Sequence, residues 1–521
     1  MMAWLPYSVG CLISYARKQP EINELYEFMD PLCLAWNPKK YKTELLQTDI
    51  LGLTCYAWNQ GYNDRLAAYY KRIRPDGVTI YGGPQVPEDK QARDNWQRDR
   101  GAFLDHCIEG PGEIAFVEWL LDKPRSRTVL KELPTPYTDG VFDAMITFAK
   151  QNPGNFFGAP VESDRGCPYS CAFCDWGGNT RSKLIKFDQD TFMEQMDWVY
   201  SNNELTEAFL SNANFGINKR DIEIMQGIAA MQKKYNRADF QFTFGGLAKN
   251  GSKNVKPIMD IMLNEVNVLQ HNLKVSFQTH TPEVLRVIKR DNISNEKLMP
   301  LVRHWQSIGK QVSAEMIIGL PGETADSWLK GLDHMVHDLS IYQSGTFILQ
   351  ITRNTLLDDP EYQKKYDIST KQVWWGKKQY GVSVVIKSYS FDLEELVKMY
   401  DYHWVYNNFI NTGLIPVDRL ISLYDQTRIF FDNLDQMPLM KDLIERQRTL
   451  VRKIFKKGRD VYLTDEKEIR WFSASMRMDD LQIMEANRDR ALQELAVVFD
   501  IPDDVKFEIE GSGYRKIPVV K

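Results

Sequence analysis

Cysteine is scarce in this 521-residue sequence, and the features that are missing limit where the protein works. Seven cysteines, an odd number in a long chain, do not make the dense framework of a secreted disulfide-stabilised protein. No stretch approaches the roughly 18 uninterrupted apolar residues of a membrane span. The start of the chain, residues 1–20, lacks the basic leading segment of a signal peptide. We therefore expect a cytoplasmic protein without a membrane segment.

An excess of positive charge is also missing. The formal net charge is −5 and the sequence pI is about 5.9. This balance argues against a general nucleic-acid binder, because neutralising phosphates needs clustered Lys and Arg. The apolar fraction of 43% and the charged fraction of 26% are ordinary for a folded protein. The length predicts about three domains.

Strand-like and helix-like patterns alternate over most of the chain, which predicts an α/β fold. In residues 1–125, a buried strand at Asp49–Tyr56, a helix at Asn63–Arg74 and a strand at Gly77–Tyr81 suggest a parallel, Rossmann-like sheet. Residues 126–158 are rich in proline and are interpreted as a linker. The tail, 386–521, has long helical periodicity and few strand signals.

Six strand signals with helical segments between them occupy residues 159–385, and such a series predicts a partial (β/α)6 barrel. The six predicted strands are Val161–Gly166, Glu207–Ala213, Phe240–Gly245, Lys274–Thr279, Val312–Ile318 and Ser344–Thr352.

Three of the cysteines crowd into Cys167-Pro-Tyr-Ser-Cys171-Ala-Phe-Cys174, directly after the first predicted barrel strand. Thiolates suit iron–sulfur clusters and zinc. A structural zinc needs four ligands, and the nearest downstream histidine is the distant His271. Three thiolates on a cluster of four irons leave one iron open to a small molecule. A zinc knuckle and three free thiols are the alternatives.

The C-x3-C-x2-C spacing, in this place on this fold, resembles the signature of the radical S-adenosylmethionine superfamily. The resemblance implies a [4Fe–4S] cluster on Cys167, Cys171 and Cys174, with S-adenosylmethionine bound at the open iron. It implies reductive cleavage to a 5′-deoxyadenosyl radical, with electrons from a donor such as a flavodoxin or ferredoxin. In such enzymes the cofactor does the difficult chemistry and the protein aims it.

Later segments extend the resemblance over about residues 155–355. It implies contacts to the adenine, contacts to the methionine moiety after the second strand, and further contacts on the fourth and fifth strands. The residues implied to bind S-adenosylmethionine are Phe173, Asn212, Asn214, Gln278, Glu315 and Gly319. The commoner form after the second strand carries an acidic residue, so a turn or helix cap is the alternative for the two asparagines. Thr324 is predicted to cap the next helix.

The N-terminal segments Thr54–Trp58, Gly82–Gln85 and Glu109–Glu113 resemble the cobalamin-binding domain that precedes the barrel in many such enzymes. The residues implied to bind cobalamin are Thr54, Tyr56, Gly82, Gly83, Pro84 and Gln85. The chain lacks the D-x-H-x-x-G motif whose histidine ligates cobalt, since His106 has the wrong spacing. A domain that binds nothing, and a plain core role for Thr54 and Tyr56, are the alternatives.

With both cofactors, the resemblance implies methyl transfer to an unactivated carbon in a pocket closed against water and oxygen. A second hypothesis keeps the radical for rearrangement or oxidation without methyl transfer. Sulfur insertion is disfavoured, because the other four cysteines are not grouped. A third hypothesis is a metal-binding or nucleic-acid-binding module without turnover. These hypotheses differ in the metal bound, in deoxyadenosine formation and in methylated product, whereas the substrate has no signal in the sequence.

Overall fold

The computed structural model describes residues 2–33, 37–126, 128–176, 183–245, 253–266, 273–375, 380–473 and 480–499. The chain divides into two compact units. The first comprises Met1–Ser170, Cys174–His271 and Arg353–Thr355, and the second comprises Cys171–Phe173, Asn272–Thr352 and Leu356–Lys521. Among the described residues, no helix combines the length and apolar character that crossing a membrane requires.

Two parallel sheets organise the first unit. The strands of the four-stranded sheet are, in spatial order, Met2–Trp4, Phe156–Val161, Leu205–Leu210 and Gln241–Phe244. The strands of the three-stranded sheet are Ile50–Thr54, Val78–Gly82 and His106–Ile108. A short antiparallel pair joins Asp164–Arg165 to Ile185–Lys186. The α-helices are Tyr7–Arg17, Pro20–Leu25, Lys42–Gln47, Gln60–Ile73, Lys90–Arg98, Gly112–Leu120, Asp143–Gln151, Gln189–Ser201, Arg220–Tyr235 and Val255–Glu265. Parallel strands separated by helices confirm the predicted α/β class.

The first of the six predicted barrel strands begins earlier than predicted, at Phe156–Val161 rather than Val161–Gly166. Pro160 suggested a linker, because proline lacks the N–H that a central strand needs. In the fold this position requires no donor. The neighbouring strand Met2–Trp4 ends opposite Gly158, so no strand follows on the side that the Pro160 nitrogen faces. The Pro160 carbonyl accepts from the Tyr137 hydroxyl at 2.6 Å instead.

The stretch interpreted as a linker contains regular structure. Helix Asp143–Gln151 buries Met145, Ile146 and Ala149 in the same apolar core as the four-stranded sheet. In the sequence, the prolines on either side of this helix indicated a linker and not a packed helix. The division into domains at 125, 158 and 385 stays a prediction.

The second unit holds the last three predicted barrel strands in a separate parallel sheet. Its strands are Leu273–Gln278, Val312–Ile318 and Gln343–Ile348, and a mixed sheet has the spatial order Gln350–Ile351, Tyr380–Lys387, Ser369–Trp375 and Val461–Tyr462. Within the described residues, no ladder of hydrogen bonds closes the six strands into a barrel. The six strands predicted for the partial barrel are thus found in two parallel sheets, one in each unit, and the barrel itself stays a prediction.

Helices dominate the rest of the second unit. They are Pro282–Val287, Asn295–Ser307, Ala325–His337, Pro360–Lys365, Leu393–Val405, Leu423–Asp432, Pro438–Phe455, Glu466–Ser473, Asp480–Ala486 and Arg488–Leu495, with a π-helix at Tyr406–Ile410. The helical character predicted for the tail is thus found in the described residues up to Leu495, and the parts of that prediction that fall on residues 474–479 and 500–521 lie outside them.

Candidate functional site

The cysteine loop begins just beyond the end of strand Phe156–Val161. Gly166 has φ 93°, a conformation that glycine adopts without strain, and it leads the chain into the buried Cys167. The described residues contain no group of three His, Cys, Asp or Glu side chains placed around a single metal ion. The donor set of the motif, three thiols within eight residues of sequence, suits a four-iron cluster with one open iron better than a four-ligand zinc.

Two of the three sulfurs have a buried nitrogen donor. In the first unit, Asn214 Nδ2 donates to Cys167 Sγ at 3.1 Å. In the second unit, Arg290 Nη1 lies 3.8 Å from Cys171 Sγ. Buried donors of this kind stabilise anionic sulfur, so the surroundings of the motif fit thiolate ligands. The contact of Arg290 with Cys171 was not predicted, because the sequence around Arg290 shows only that it follows a helix.

The two asparagines after strand Leu205–Leu210 have different partners. Asn212 Oδ1 accepts from Ser163 N at 3.0 Å, and its Nδ2 donates to Ser163 Oγ at 2.8 Å. Both polar atoms of Asn212 are therefore engaged inside the first unit, which favours a structural role for it. Asn214 contacts a cysteine sulfur, as described above. Contact of either residue with S-adenosylmethionine stays a prediction.

Gln278, at the end of strand Leu273–Gln278, has the marks of a binding residue. Its φ is 69°, which is costly for a residue with a side chain, and the pairing with the next strand shifts register between Ser276 and Gln278. Gln278 Oε1 is buried and has no hydrogen-bond partner among the described residues. A strained residue with an unsatisfied acceptor fits a ligand that donates an N–H or O–H group.

Neighbouring strand positions hold the other residues predicted for this side. Glu315 pairs in register with Ser276 and accepts from its hydroxyl at 2.5 Å. Gly319 has φ 87°, which suits the turn after its strand. The cap predicted at Thr324 is confirmed, since its side chain accepts from Ser327 N at 3.1 Å in a capping box.

The residue before Phe173 is fixed by the backbone of the second unit. Ala172 N donates to Ile288 O at 2.8 Å, and Leu357 N donates to Ala172 O at 2.9 Å. These bonds set the path of the chain between Cys171 and Phe173.

In the three-stranded sheet, the loop Gly82–Gln85 folds back on the end of the neighbouring strand Ile50–Thr54. A Cβ at Gly83, whose φ is 113°, would lie 2.9 Å from Cys55 O. Gln85 N donates to the same carbonyl at 3.1 Å. Gly83 is therefore required by the chain's own packing, whereas a Cβ at Gly82 would meet nothing closer than 3.9 Å.

Thr54 and Tyr56 lie at the carboxyl end of strand Ile50–Thr54, the edge where open parallel sheets bind ligands. Asn59 holds both, because its Oδ1 accepts from Tyr56 N at 2.8 Å and its Nδ2 lies 3.4 Å from Thr54 Oγ1. The Tyr56 ring stacks on Trp58 with centroids 4.6 Å apart, and Trp58 is 60% exposed. This edge presents a flat aromatic surface.

Asn354 clamps the loop that carries Pro84, a contact that the sequence analysis missed. Its Nδ2 donates to Pro84 O and Val86 O, both at 3.0 Å, and its Oδ1 accepts from Glu88 N at 2.9 Å. Asn354 has φ 66°, which asparagine tolerates better than most residues. The loop is thus held in one conformation by a residue about 270 positions away in the sequence.

Asp164, three residues before the cysteine motif, is a buried acid. Neither carboxylate oxygen has a hydrogen-bond partner among the described residues. Burial, reinforced by the charge of Asp221, raises the pKa of Asp164 to about 7. The carboxyl is therefore largely protonated in the folded protein below neutral pH.

We expect Asp164→Asn to stabilise the protein above about pH 7 by on the order of 2 kcal/mol. A folded-state pKa above the unfolded value means that the folded chain binds the extra proton, so this group costs stability as pH rises from about 4 to about 7. Denaturant midpoints across this range measure the effect, and the variant and wild type should converge near the acid end. Asp489→Asn, which changes an exposed carboxylate, is the control. Equal midpoints for wild type and Asp164→Asn at alkaline pH would contradict the expectation.

Comparison with known proteins extends these observations. Residues 161–335 match the family model of the Radical SAM superfamily. The chain is 28% identical over 403 residues to the cobalamin-dependent radical SAM methyltransferase TokK of Streptomyces tokunonensis, covering 70% of this chain and 56% of TokK. It is 29% identical, with the same coverage, to the 2-(S-pantetheinyl)-carbapenam-3-carboxylate methyltransferase of Streptantibioticus cattleyicolor. The chain thus spans little more than half the length of these curated relatives.

Solved structures show a similar fold. The methyltransferase TsrM from Kitasatospora setae, in a complex with a tryptophan substrate and an S-adenosylmethionine analogue, aligns with a TM-score of 0.55 and 12% identity over 93% of this chain and 97% of TsrM. A TsrM structure with bound cobalamin and a [4Fe–4S] cluster aligns with a TM-score of 0.50 and 14% identity over 68% of this chain and 71% of that chain. At these identities the likeness concerns the fold alone.

Proposed function

We propose that this chain, which carries a radical SAM domain, is a cobalamin-dependent methyltransferase that acts on an unactivated carbon. Cys167, Cys171 and Cys174 hold a [4Fe–4S] cluster. The observation that carries the proposal is the cysteine motif itself, with a buried donor at the sulfurs of Cys167 and Cys171. The homology to the methyltransferase TokK supports the choice of reaction.

The bound cofactors would supply a carbon-centred radical that removes a hydrogen atom from the substrate, and the methyl group that replaces it. The protein's own part is to hold and orient them. Gln278 offers its unsatisfied Oε1 to a donor group of S-adenosylmethionine, and Phe173 flanks the adenine. Asn212, Asn214, Glu315 and Gly319 complete the proposed set. The electrons come from a small carrier such as a flavodoxin or ferredoxin.

In this proposal cobalamin binds at the carboxyl edge of the three-stranded sheet. Tyr56, stacked on Trp58, presents the flat surface there, with Thr54 at the end of the same strand, and the loop Gly82–Gln85 lies on the neighbouring strand end. The clamp by Asn354 keeps that loop preorganised for a ligand. In this proposal a cobalamin-binding domain (1–125) and a connecting segment (126–158), whose helix Asp143–Gln151 packs in the core of the four-stranded sheet, precede the partial barrel (159–385) and the helical domain (386–521).

The test uses protein purified without oxygen, with its cluster rebuilt and hydroxocobalamin supplied. Iron, sulfide and cobalt are quantified, and 5′-deoxyadenosine is assayed after adding S-adenosylmethionine and a reductant. The proposal expects about four irons, one cobalamin per chain and deoxyadenosine formation, followed by a methylated product in a substrate screen. Deoxyadenosine without bound cobalamin would replace methyl transfer with radical rearrangement or oxidation. Zinc in place of iron, with no deoxyadenosine, would overturn the proposal.

A further inference from the structure

Asn214 lies in a buried turn that the protein's own hydrogen bonds hold in place. It follows strand Leu205–Leu210 and is only 5% exposed. Its carbonyl accepts from Ile217 N at 3.2 Å, which closes a turn. Asp221 supports this turn, because its Oδ2 accepts from Gly216 N at 2.8 Å and from Asn218 N at 3.0 Å. The side chain of Asn214 is therefore aimed by backbone contacts on its C-terminal side.

The neighbouring strand Phe156–Val161 also helps to fix the direction of the Asn214 side chain. Ser211 N donates to the carbonyl of Val161 at 2.7 Å, which fixes the start of the loop against the end of the neighbouring strand. From there the amide nitrogen of Asn214 reaches Cys167 Sγ at 3.1 Å, a short contact for a nitrogen donor to sulfur. Both residues are buried, so water competes weakly for this bond.

A hydrogen bond to a cysteine sulfur has an electrostatic consequence once that sulfur is a cluster ligand. Adding an electron to the cluster increases the negative charge shared by its sulfurs. A donor therefore stabilises the reduced cluster more than the oxidised one, and the reduction potential rises. The amide of Asn214 is the buried side-chain donor that the described residues place at Cys167.

We propose that Asn214 is a positioning residue that raises the reduction potential of the cluster through its hydrogen bond to Cys167. This inference rests on the cluster assigned under the proposed function. It gives the amide nitrogen a role separate from the methionine contact that the sequence resemblance implies. The electron donor must reduce the cluster before S-adenosylmethionine is cleaved, so the bond widens the range of donors that suffice.

The test is a potentiometric titration of the reconstituted protein, followed by electron paramagnetic resonance without S-adenosylmethionine. For Asn214→Ala, the ratio of reduced to oxidised cluster at the wild-type midpoint should fall about tenfold, which is about 59 mV for one electron. Asn214→Asp should lie lower still, because it sets a carboxylate against the sulfur. Asn214→Ser, which keeps a donor group, should lie between wild type and Asn214→Ala.

Asn254→Ala is the matched control. It removes a buried side-chain amide that donates to the carbonyl of Gly216, in the same loop as Asn214, at 3.1 Å. It removes no donor to sulfur, so its potential should match that of wild type even if its thermal stability falls. Equal potentials for wild type and the Ala and Asp variants would overturn the inference while leaving the cluster in place. If Asn214→Ala fails to retain iron, the other two variants decide. The inference then expects a higher reduction potential for Asn214→Ser than for Asn214→Asp, and equal potentials would overturn it. Wild-type protein without iron would instead overturn the proposed function.

Discussion

Cys171→Ala should lose most of its iron and should form 5′-deoxyadenosine only at background level. With one of three thiolates gone, the remaining two cannot complete the ligand set of the proposed cluster. The chain next to position 171 should stay folded, because the bonds of Ala172 to Ile288 and Leu357 use backbone atoms that the substitution does not touch. Iron and sulfide content, the visible absorption of the cluster and a deoxyadenosine assay measure the result.

Cys33→Ala is the matched control for this prediction. Cys33 is exposed and lies outside the motif, so its removal should leave iron and deoxyadenosine at wild-type levels. Comparable thermal unfolding of the two variants would show that iron loss is not general unfolding. A Cys171→Ala protein that kept a full complement of iron and cleaved S-adenosylmethionine would refute the ligand assignment.

The parts of the fold that the sequence predicted well are those with a local signal. Strand Val312–Ile318 was predicted with its exact bounds, because a mostly apolar run is bounded by Gln311 on one side and Gly319 on the other. The Thr324 cap was predicted because a cap depends on a few adjacent residues. The cysteine spacing carries its chemistry within eight residues of sequence, so it needs no fold to be recognised.

The missed features depend on partners far apart in the chain. Strand Met2–Trp4 joins a sheet whose next strand begins at Phe156, and Pro160 is acceptable because this pairing ends opposite Gly158. The clamp by Asn354 on the loop at Pro84 links residues about 270 positions apart. A local pattern records what a segment prefers, whereas these contacts exist only after the sheets have formed.

Local and long-range information also combine at the proposed cofactor sites. Gly83 suggested close approach of a ligand, and the structure shows close approach of the chain's own Cys55 carbonyl. Gln278 was chosen by resemblance alone, yet its positive φ and unsatisfied oxygen are independent signs of a binding role. Strain and unmet hydrogen bonds therefore discriminate between candidate residues that sequence patterns treat alike.

Arg165, which directly precedes Gly166 and the cysteine loop, anchors a buried ion network. Its Nη1 lies 2.9 Å from Glu113 Oε1, and its Nε donates to Glu162 Oε2 at 3.1 Å. Glu113 and Glu162 are 5% and 8% exposed. Two carboxylates that are this deeply buried depend on the Arg165 guanidinium to balance their negative charges.

Arg165→Met should therefore lower the free energy of unfolding by about 3–5 kcal/mol, since it leaves two buried carboxylates without their cation. Denaturant unfolding near pH 8 measures this loss. The triple variant Glu113→Gln, Glu162→Gln, Arg165→Met should recover much of the loss at pH 8, because it removes the charges together. A single variant as stable as wild type at pH 8 would mean that water already solvates these carboxylates.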